Sequence, residues 1–200
     1  MFFKQNYKLG VNLRVMALKQ KKKRLFILAL FVITIFLMLS SNIPLAARMV
    51  FNVPQFSQQP YSYICWATTA SMIIAYFKGD TYDRDVAIAK EKYGSNFNQP
   101  APFSDVEYFV RKYTGRAGSI KATYLSWTAV QYQINRGGPI GTRIAWKNGG
   151  GGHAEVIKGY DSGTGWVIYN DPWDGLGHGC TYSFYVNNPY WYWTHSLFYY

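Results

Sequence analysis

The hydrophobic period of this sequence changes once, at Gly137, and that change limits the architectures open to it. Before Gly137, apolar residues recur at three- and four-residue steps. Trp66, Ala70, Ile73, Ile74 and Phe77 predict a helix that starts near Cys65 and ends by Gly79. "TYDRDVAIAKEKYG" reads as a second, weaker helix between Asp83 and Tyr93. "PFSDVEYFVRKYTG" sets Ser104 three positions before Glu107, a capping-box spacing, with Val106, Phe109 and Val110 on one side. "LSWTAVQYQINRGG" predicts a helix capped by Ser126 and stopped at Gly137.

Beyond Gly137 the runs are short and rich in β-branched or aromatic residues. "PIGTRIAW", "HAEVIKGY", "GWVIYND" and "TYSFYV" read as strands, and "KNGGGG", "DSGTG" and "PWDGLGHG" as turns between them. Helices first and an antiparallel sheet after them define an α+β domain. The lack of alternating units argues against a doubly wound one. Ahead of the first helix, Pro54 and Pro60 in "VFNVPQFSQQP" predict an extended lead-in. The aromatic tail "NNPYWYWTHSLFYY" predicts a final strand packed over the sheet, with a carbohydrate- or wall-facing surface as the alternative.

The formal charge of +11 is unevenly spread. Residues 1–47 hold eight Lys/Arg and no acid, so thirteen basic and ten acidic residues remain, a net of +3. A basic nucleic-acid surface is therefore not expected. The early excess has its own explanation: Lys19 to Arg24 form a positive flank, Leu25 to Leu39 an apolar run broken only by Thr34, and Ser40 to Ala47 a polar exit toward small residues. This is the pattern of a secretory signal peptide, and "ALKQKKKR" after Met16 makes the more typical start. Residues 1–47 are expected to be a signal peptide cut after Ala47, or else a transmembrane anchor, and 48–200 to be one domain outside the membrane. Membrane contact is expected only through the N-terminal hydrophobic segment.

Outside the cytoplasm Cys65 and Cys180 could form one disulfide, and a permanent bridge would rule out Cys65 as a nucleophile. The competing reading starts from the position of Cys65 at the head of a helix. Free N–H groups and the positive end of the helix dipole stabilise a thiolate there, and a nearby imidazolium stabilises it further. Of the three histidines, His153 stands between the glycine turn and a strand, where a side chain has a fixed direction. His178 falls in a turn and His195 in the aromatic tail. Asn170 or Asp171, at the end of the next strand, can orient the imidazole. The backbone N–H of Cys65 and the amide of Gln59 are candidate oxyanion donors, with Gln58 competing for the second place. The spacing of His and Cys lacks the clustering of a zinc site, and the glycines 149–152 lack the Lys and Ser/Thr of a nucleotide loop, so no metal or cofactor is expected.

"VPQFSQQPYSYICWATTASMIIAYF", "GGPIGTRIAW" and "GGHAEVIKGYDSGTGWVIYNDPW", in that order, resemble the papain-like cysteine peptidases, in particular the bacterial C39-like and AvrRpt2-type branch. The resemblance runs from Val53 to Trp191. It implies a papain-like fold and a secreted or surface-exposed thiol peptidase with Cys65 as nucleophile, His153 as general base, Asp171 as orienting acid and Gln59 as oxyanion donor. Asn170 is the fallback for Asp171. "CW" replaces the usual "CG" of the processing-transporter domains, which favours a free-standing peptidase. A polypeptide substrate, a monomer, no cofactor and no nucleic acid are the accompanying expectations. A peptidoglycan amidase or transpeptidase on the same fold, and a non-catalytic glycan-binding module with Cys65 locked to Cys180, are the alternatives.

Overall fold

The computed structural model describes residue 16, residues 19–34 and residues 47–199. The chain divides into two compact units, residues 1–45 and 46–200.

In the first unit, residues 19–34 are helical. Among the described residues no helix is long and apolar enough to cross a membrane. This overturns the expected transmembrane anchor and the membrane contact through the N-terminal hydrophobic segment. The reason is length and charge together. At about 1.5 Å per residue the described helix rises about 24 Å against the roughly 30 Å of a hydrocarbon core. Lys19, Lys21, Lys22, Lys23 and Arg24 occupy its first part, leaving residues 25–33 as its apolar stretch before Thr34, about 14 Å. The expected exit toward a cleavage site lies, apart from Ala47, outside the described residues.

The second unit is an α+β domain with a papain-like arrangement of helices on an antiparallel sheet. Strand β1 (Arg48–Val50) is followed by helices α1 (Cys65–Lys78), α2 (Asp85–Tyr93) and α3 (Ser104–Thr114). Strand β2 (Gly118–Lys121) and helix α4 (Trp127–Asn135) lead into β3 (Ile140–Trp146), β4 (Gly152–Asp161), β5 (Trp166–Asp171) and β6 (Leu176–Thr181). The short helix α5 (Tyr182–Val186) and strand β7 (Trp191–Tyr199) complete it. The sheet order is β2-β7-β3-β4-β5-β6, and β1 pairs with the end of β4. All of these pairings are antiparallel.

Both faces of the sheet are covered. On one, Ala154, Val156, Leu197 and Tyr199 pack with α1, α2 and α3. On the other, Ile140, Ile157, Tyr160 and Val167 pack with Val130 and Ile134 of α4 and Tyr185 of α5. Helix α1 is the centre of the first layer. Residues Trp66 to Ala75 are buried without a break, and each fully buried Met or Ile among them stabilises the fold by about 1.5–3 kcal/mol. Gly79, at φ 68°, ends the helix where the sequence places its stop.

Several local expectations change. "TYSFYV" is helical, because the Thr181 hydroxyl caps the Phe184 N–H and turns Tyr185 into the core. The strand after β5 is instead the glycine-rich "LGHGCT", where Gly177 and Gly179 leave room for Lys158 and the Trp166 ring. The aromatic tail runs inside the sheet, between β2 and β3, instead of over it. Ser126 caps α4 through the Ala129 N–H at 3.3 Å, as its spacing predicts. Ser104 makes no such cap, since Glu107 is drawn away to the Gly118 N–H at 3.3 Å and to Arg111 at 3.2 Å. Both cysteines are free, so the Cys65–Cys180 bridge is not formed.

Strand β1 approaches β4 so closely at Gly159 that an added Cβ would lie 2.4 Å from the Met49 carbonyl oxygen. Gly159→Val is expected to destabilise the domain by about 1–3 kcal/mol. In urea denaturation this appears as a lower midpoint at unchanged slope; an unchanged midpoint would contradict the packing described.

Candidate active site

Cys65 is the first residue of α1. The Ile64 carbonyl accepts the N–H groups of Ala67 and Thr68 at 2.9 and 3.0 Å, which starts the helix with the Cys65 side chain at its positive end. No acidic residue stands in the first turn to oppose a negative sulfur. Cys65, His153 and Ala154 of β4 line one cavity, and the His153 side chain with the backbone N–H groups of Ala154 and Trp66 acts to lower the pKa of the thiol.

His153 is the second residue of β4 and is buried. The turn before it needs Gly149 and Gly151 at φ 80° and 82°, conformations in which a side chain is strained. Its Nε2 lies 2.6 Å from Asp171 Oδ1, which leaves Nδ1 for Cys65. The Trp146 ring lies over the imidazole at 6.2 Å and 25°. Asp171 ends β5. Pro172 has no N–H, and the next one, of Trp173, donates to the same Oδ1 at 2.8 Å and fixes the carboxylate. Asn170 points to the opposite face, where its amide donates to the Val53 and Pro54 carbonyls at 3.1 and 3.2 Å. Of the two residues the sequence left open, Asp171 is therefore the one that meets the imidazole, while Asn170 ties the lead-in segment to the sheet.

Burial opposes charge on all three groups, yet their mutual interactions prevail. Burial raises the Cys65 pKa, but the hydrogen bond and positive charge of His153, with the two backbone N–H groups, bring it below the ordinary thiol value. Burial lowers that of His153, and the bonds to Asp171 and Cys65 raise it well above the usual imidazole range. Asp171 is raised by burial and lowered further by His153 and the Trp173 N–H, ending below the usual carboxylate range. The arrangement can hold a thiolate against an imidazolium backed by a carboxylate.

The glutamines are placed differently from one another. Gln58 is buried and its amide donates to the Tyr61 carbonyl at 2.9 Å. Gln59 is exposed and its Nε2 donates to the Trp173 carbonyl at 3.1 Å, at the rim of the cleft that contains Cys65. Neither side chain is hydrogen-bonded to the thiol. Cys180 lies apart, and burial with the nearby Glu155 pushes it up to about 12. His178 pairs with Asp174 at 2.9 Å, and His195 with the Thr194 hydroxyl at 2.9 Å.

The group that sequence reasoning missed is Glu155, two residues along β4 from His153 and buried. It accepts a 2.6 Å hydrogen bond from Tyr185, whose hydroxyl also lies 2.6 Å from Thr142. The alternation of β4, which sets residue i+2 beside residue i, was the available signal. Ligand atoms of His153, Glu155 and Asp171 lie within 4.8 Å of one another, as do those of Asp171, Asp174 and His178. In both clusters these atoms are already engaged in the hydrogen bonds given above, so nothing further points to an ion.

The chain matches the family model described as papain-like cysteine protease AvrRpt2 over residues 47–189. No curated protein matches it in sequence. Among solved structures, a C39-like peptidase of Bacillus anthracis is similar at 17% identity and TM-score 0.52, covering 76% of this chain and 97% of that one. UfSP of C. elegans is similar at 14% identity and TM-score 0.49, covering 82% of this chain and 36% of that one.

Burial pushes the Glu155 carboxyl up to about 7, against His153, which lowers it, and the charges of Asp171 and Asp174, which raise it. The folded state thus binds this proton more tightly than the unfolded chain, where the group titrates near 4.5. Its stabilising contribution is complete below the unfolded value and is lost as pH rises through about 7. The stability of Glu155→Gln relative to the parent is expected to rise between pH 5 and pH 8 by on the order of 2–3 kcal/mol, measured by urea unfolding. A difference independent of pH would contradict this assignment.

Proposed function

We propose that this chain, which belongs to the papain-like cysteine protease AvrRpt2 family, is a thiol peptidase that cuts peptide bonds with Cys65 as nucleophile. The observation that carries this reading is that Cys65, at the head of α1, and His153 line one cavity, while the imidazole Nε2 lies 2.6 Å from Asp171. The Cys65 thiolate attacks the scissile carbonyl carbon, and the C–N bond breaks as His153 gives its Nδ1 proton to the leaving amine. The neutral imidazole then takes a proton from water, which attacks the thioester and frees the new carboxylate and the thiolate. Asp171 holds Nε2 and keeps the imidazole turned toward sulfur.

The carbonyl oxygen, negative in the tetrahedral intermediate, is received by the backbone N–H of Cys65 at the helix start and by the Gln59 amide. The Gln59 Nε2 carries two hydrogens. One is given to the Trp173 carbonyl, which leaves the other for the oxyanion. The signal-peptide pattern of residues 1–47 supports action outside the cell, on polypeptides met there. Cys65 and Cys180 remain free thiols in this structure, so a reducing agent is expected to preserve activity.

Purified protein is expected to cleave unfolded casein, with Cys65→Ala inactive and His153→Ala reduced by about a thousandfold or more in kcat/KM. The active ion pair exists between the lowered pKa on the thiol side and the raised one on the imidazole side. The rate falls as pH drops through the first and as pH rises through the second, both values belonging to the coupled pair. Asp171→Asn removes a group that raises His153, so the alkaline limb of its kcat/KM profile is expected to move to lower pH. Casein cleavage by Cys65→Ala at the parent rate would refute the reading.

A further inference from the structure

Arg143 stands on β3, opposite Ala154 in register, and its guanidinium lies across Gly152, the residue before His153. An added Cβ at Gly152 would be 2.5 Å from the guanidinium carbon, so glycine is what allows the cation to lie there. Arg143 helps line a cavity of about 110 Å³ that also reaches Cys65 and His153. The remaining walls include Trp66, Pro100, Ala101 and Phe103, which are largely apolar.

The half-buried guanidinium gives one N–H to the Thr194 hydroxyl at 3.0 Å and has no ion pair among the described residues. A guanidinium has five such hydrogens. Among the described residues the acids of the domain are engaged elsewhere. Asp80, Glu91, Asp105, Glu107 and Asp161 are paired with other Lys or Arg residues, and Asp171 and Asp174 with histidines. Asp83 and Asp85 accept hydrogen bonds from Ser71 and Thr68, and Glu155 from Tyr185.

We propose that this cavity is a carboxylate-binding subsite, in which Arg143 selects peptide substrates that place an acidic group beside the bond cut by Cys65. The proposal rests on the thiol-peptidase reading above and names the substrate class of the same site. The planar fork of Arg143 matches a carboxylate, and the apolar walls strengthen the attraction by excluding water. The cavity is smaller than the ~150 Å³ that holds a benzene ring, which favours a short acidic group over an aromatic side chain. The carboxylate comes either from an Asp or Glu side chain or from the free C-terminus of a short peptide.

The test uses the full chain and a set of peptides of one sequence. Asp, Asn, Glu, Gln and Lys are exchanged in turn at each position flanking the cut, each peptide is made with a free and an amidated C-terminus, and cleavage is quantified by mass spectrometry. At one position the acid is expected to be cut at least about tenfold faster than its amide counterpart, with Lys poorest. A matching preference for the free over the amidated C-terminus would assign the same subsite to the chain end. Arg143→Gln should bring the ratio of acid to amide cutting down to about one. The parent comparison stands without that variant, should it fold poorly. Equal cutting of acid and amide peptides by the parent overturns the subsite and leaves the thiol-peptidase reading in place. No cutting of any peptide removes the peptidase reading and the subsite with it, and iodoacetamide labelling of Cys65 in the same samples shows whether the failure begins at the thiol.

Discussion

The position of the Cys65 thiol follows from the burial of helix α1 between the sheet and helices α2 and α3. Ten consecutive residues, Trp66 to Ala75, are buried, so the helix has no exposed side about which to rock. Two of its buried hydroxyls are met by α2 and the chain leading into it, while that of Thr69 has no partner among the described residues. Thr68 donates to Asp85 at 3.0 Å, and Ser71 to Asp83 at 2.9 Å. The Trp66 indole N–H reaches the Gln99 carbonyl at 3.0 Å. Leaving such a group unpaired costs about 1–3 kcal/mol, so the bonds fix the helix in rotation as well as in position. Cys65 is thereby held beside the first residues of β4, where it lines one cavity with Gly152, His153 and Ala154.

Strand β4 carries the other half of the arrangement. It lies inside the sheet between β3 and β5; His153 is set by the β3 ladder, opposite Ile144, the β5 ladder begins at Val156, and Asp171 arrives from the end of that neighbouring strand. Burial works against the charged forms of Cys65, His153 and Asp171, and each is drawn back toward its charged form by the counter-charge or hydrogen bond of the next. Glu155 shows the limit of that compensation. It sits behind the same pair with a tyrosine hydroxyl as its partner, and burial leaves it titrating near 7 instead of adding a full second negative charge beside Asp171.

Much of this was legible in the sequence where one residue pattern had one structural outcome. The 3.6-residue period of α1 and its glycine stop gave the helix, and the position of Cys65 at its head followed. The choice between Asn170 and Asp171 could not be read, because a one-residue shift along a strand reverses the face. Ser104 and Glu107 had the spacing of a cap, but the Gly118 N–H, eleven positions beyond Glu107 and beside it only in the fold, took that carboxylate. Strands β1 and β2 are too short to show alternation, and β6 hides behind glycines whose purpose lies in the side chains opposite. Glu155 and Arg143 carried no signal of their own, since a charge on an alternating segment does not say which face it takes until the layer packed on each side is known. The N-terminal segment misled differently: its apolar run left a transmembrane anchor open beside a cleaved signal peptide, whereas the described helix spends its first turns on lysine and arginine.

The central claim is that Cys65 is held as a thiolate by His153, and the pH dependence of its alkylation tests this most directly. Peptide mass mapping after timed exposure to iodoacetamide gives the rate at Cys65, with Cys180 as the internal reference. The account predicts that Cys65 is labelled quickly well below the pH at which an ordinary thiol ionises, about 8.5, and that His153→Ala moves its profile up toward that value. Labelling of the parent protein that follows an ordinary thiol, unchanged by the loss of His153, would contradict it.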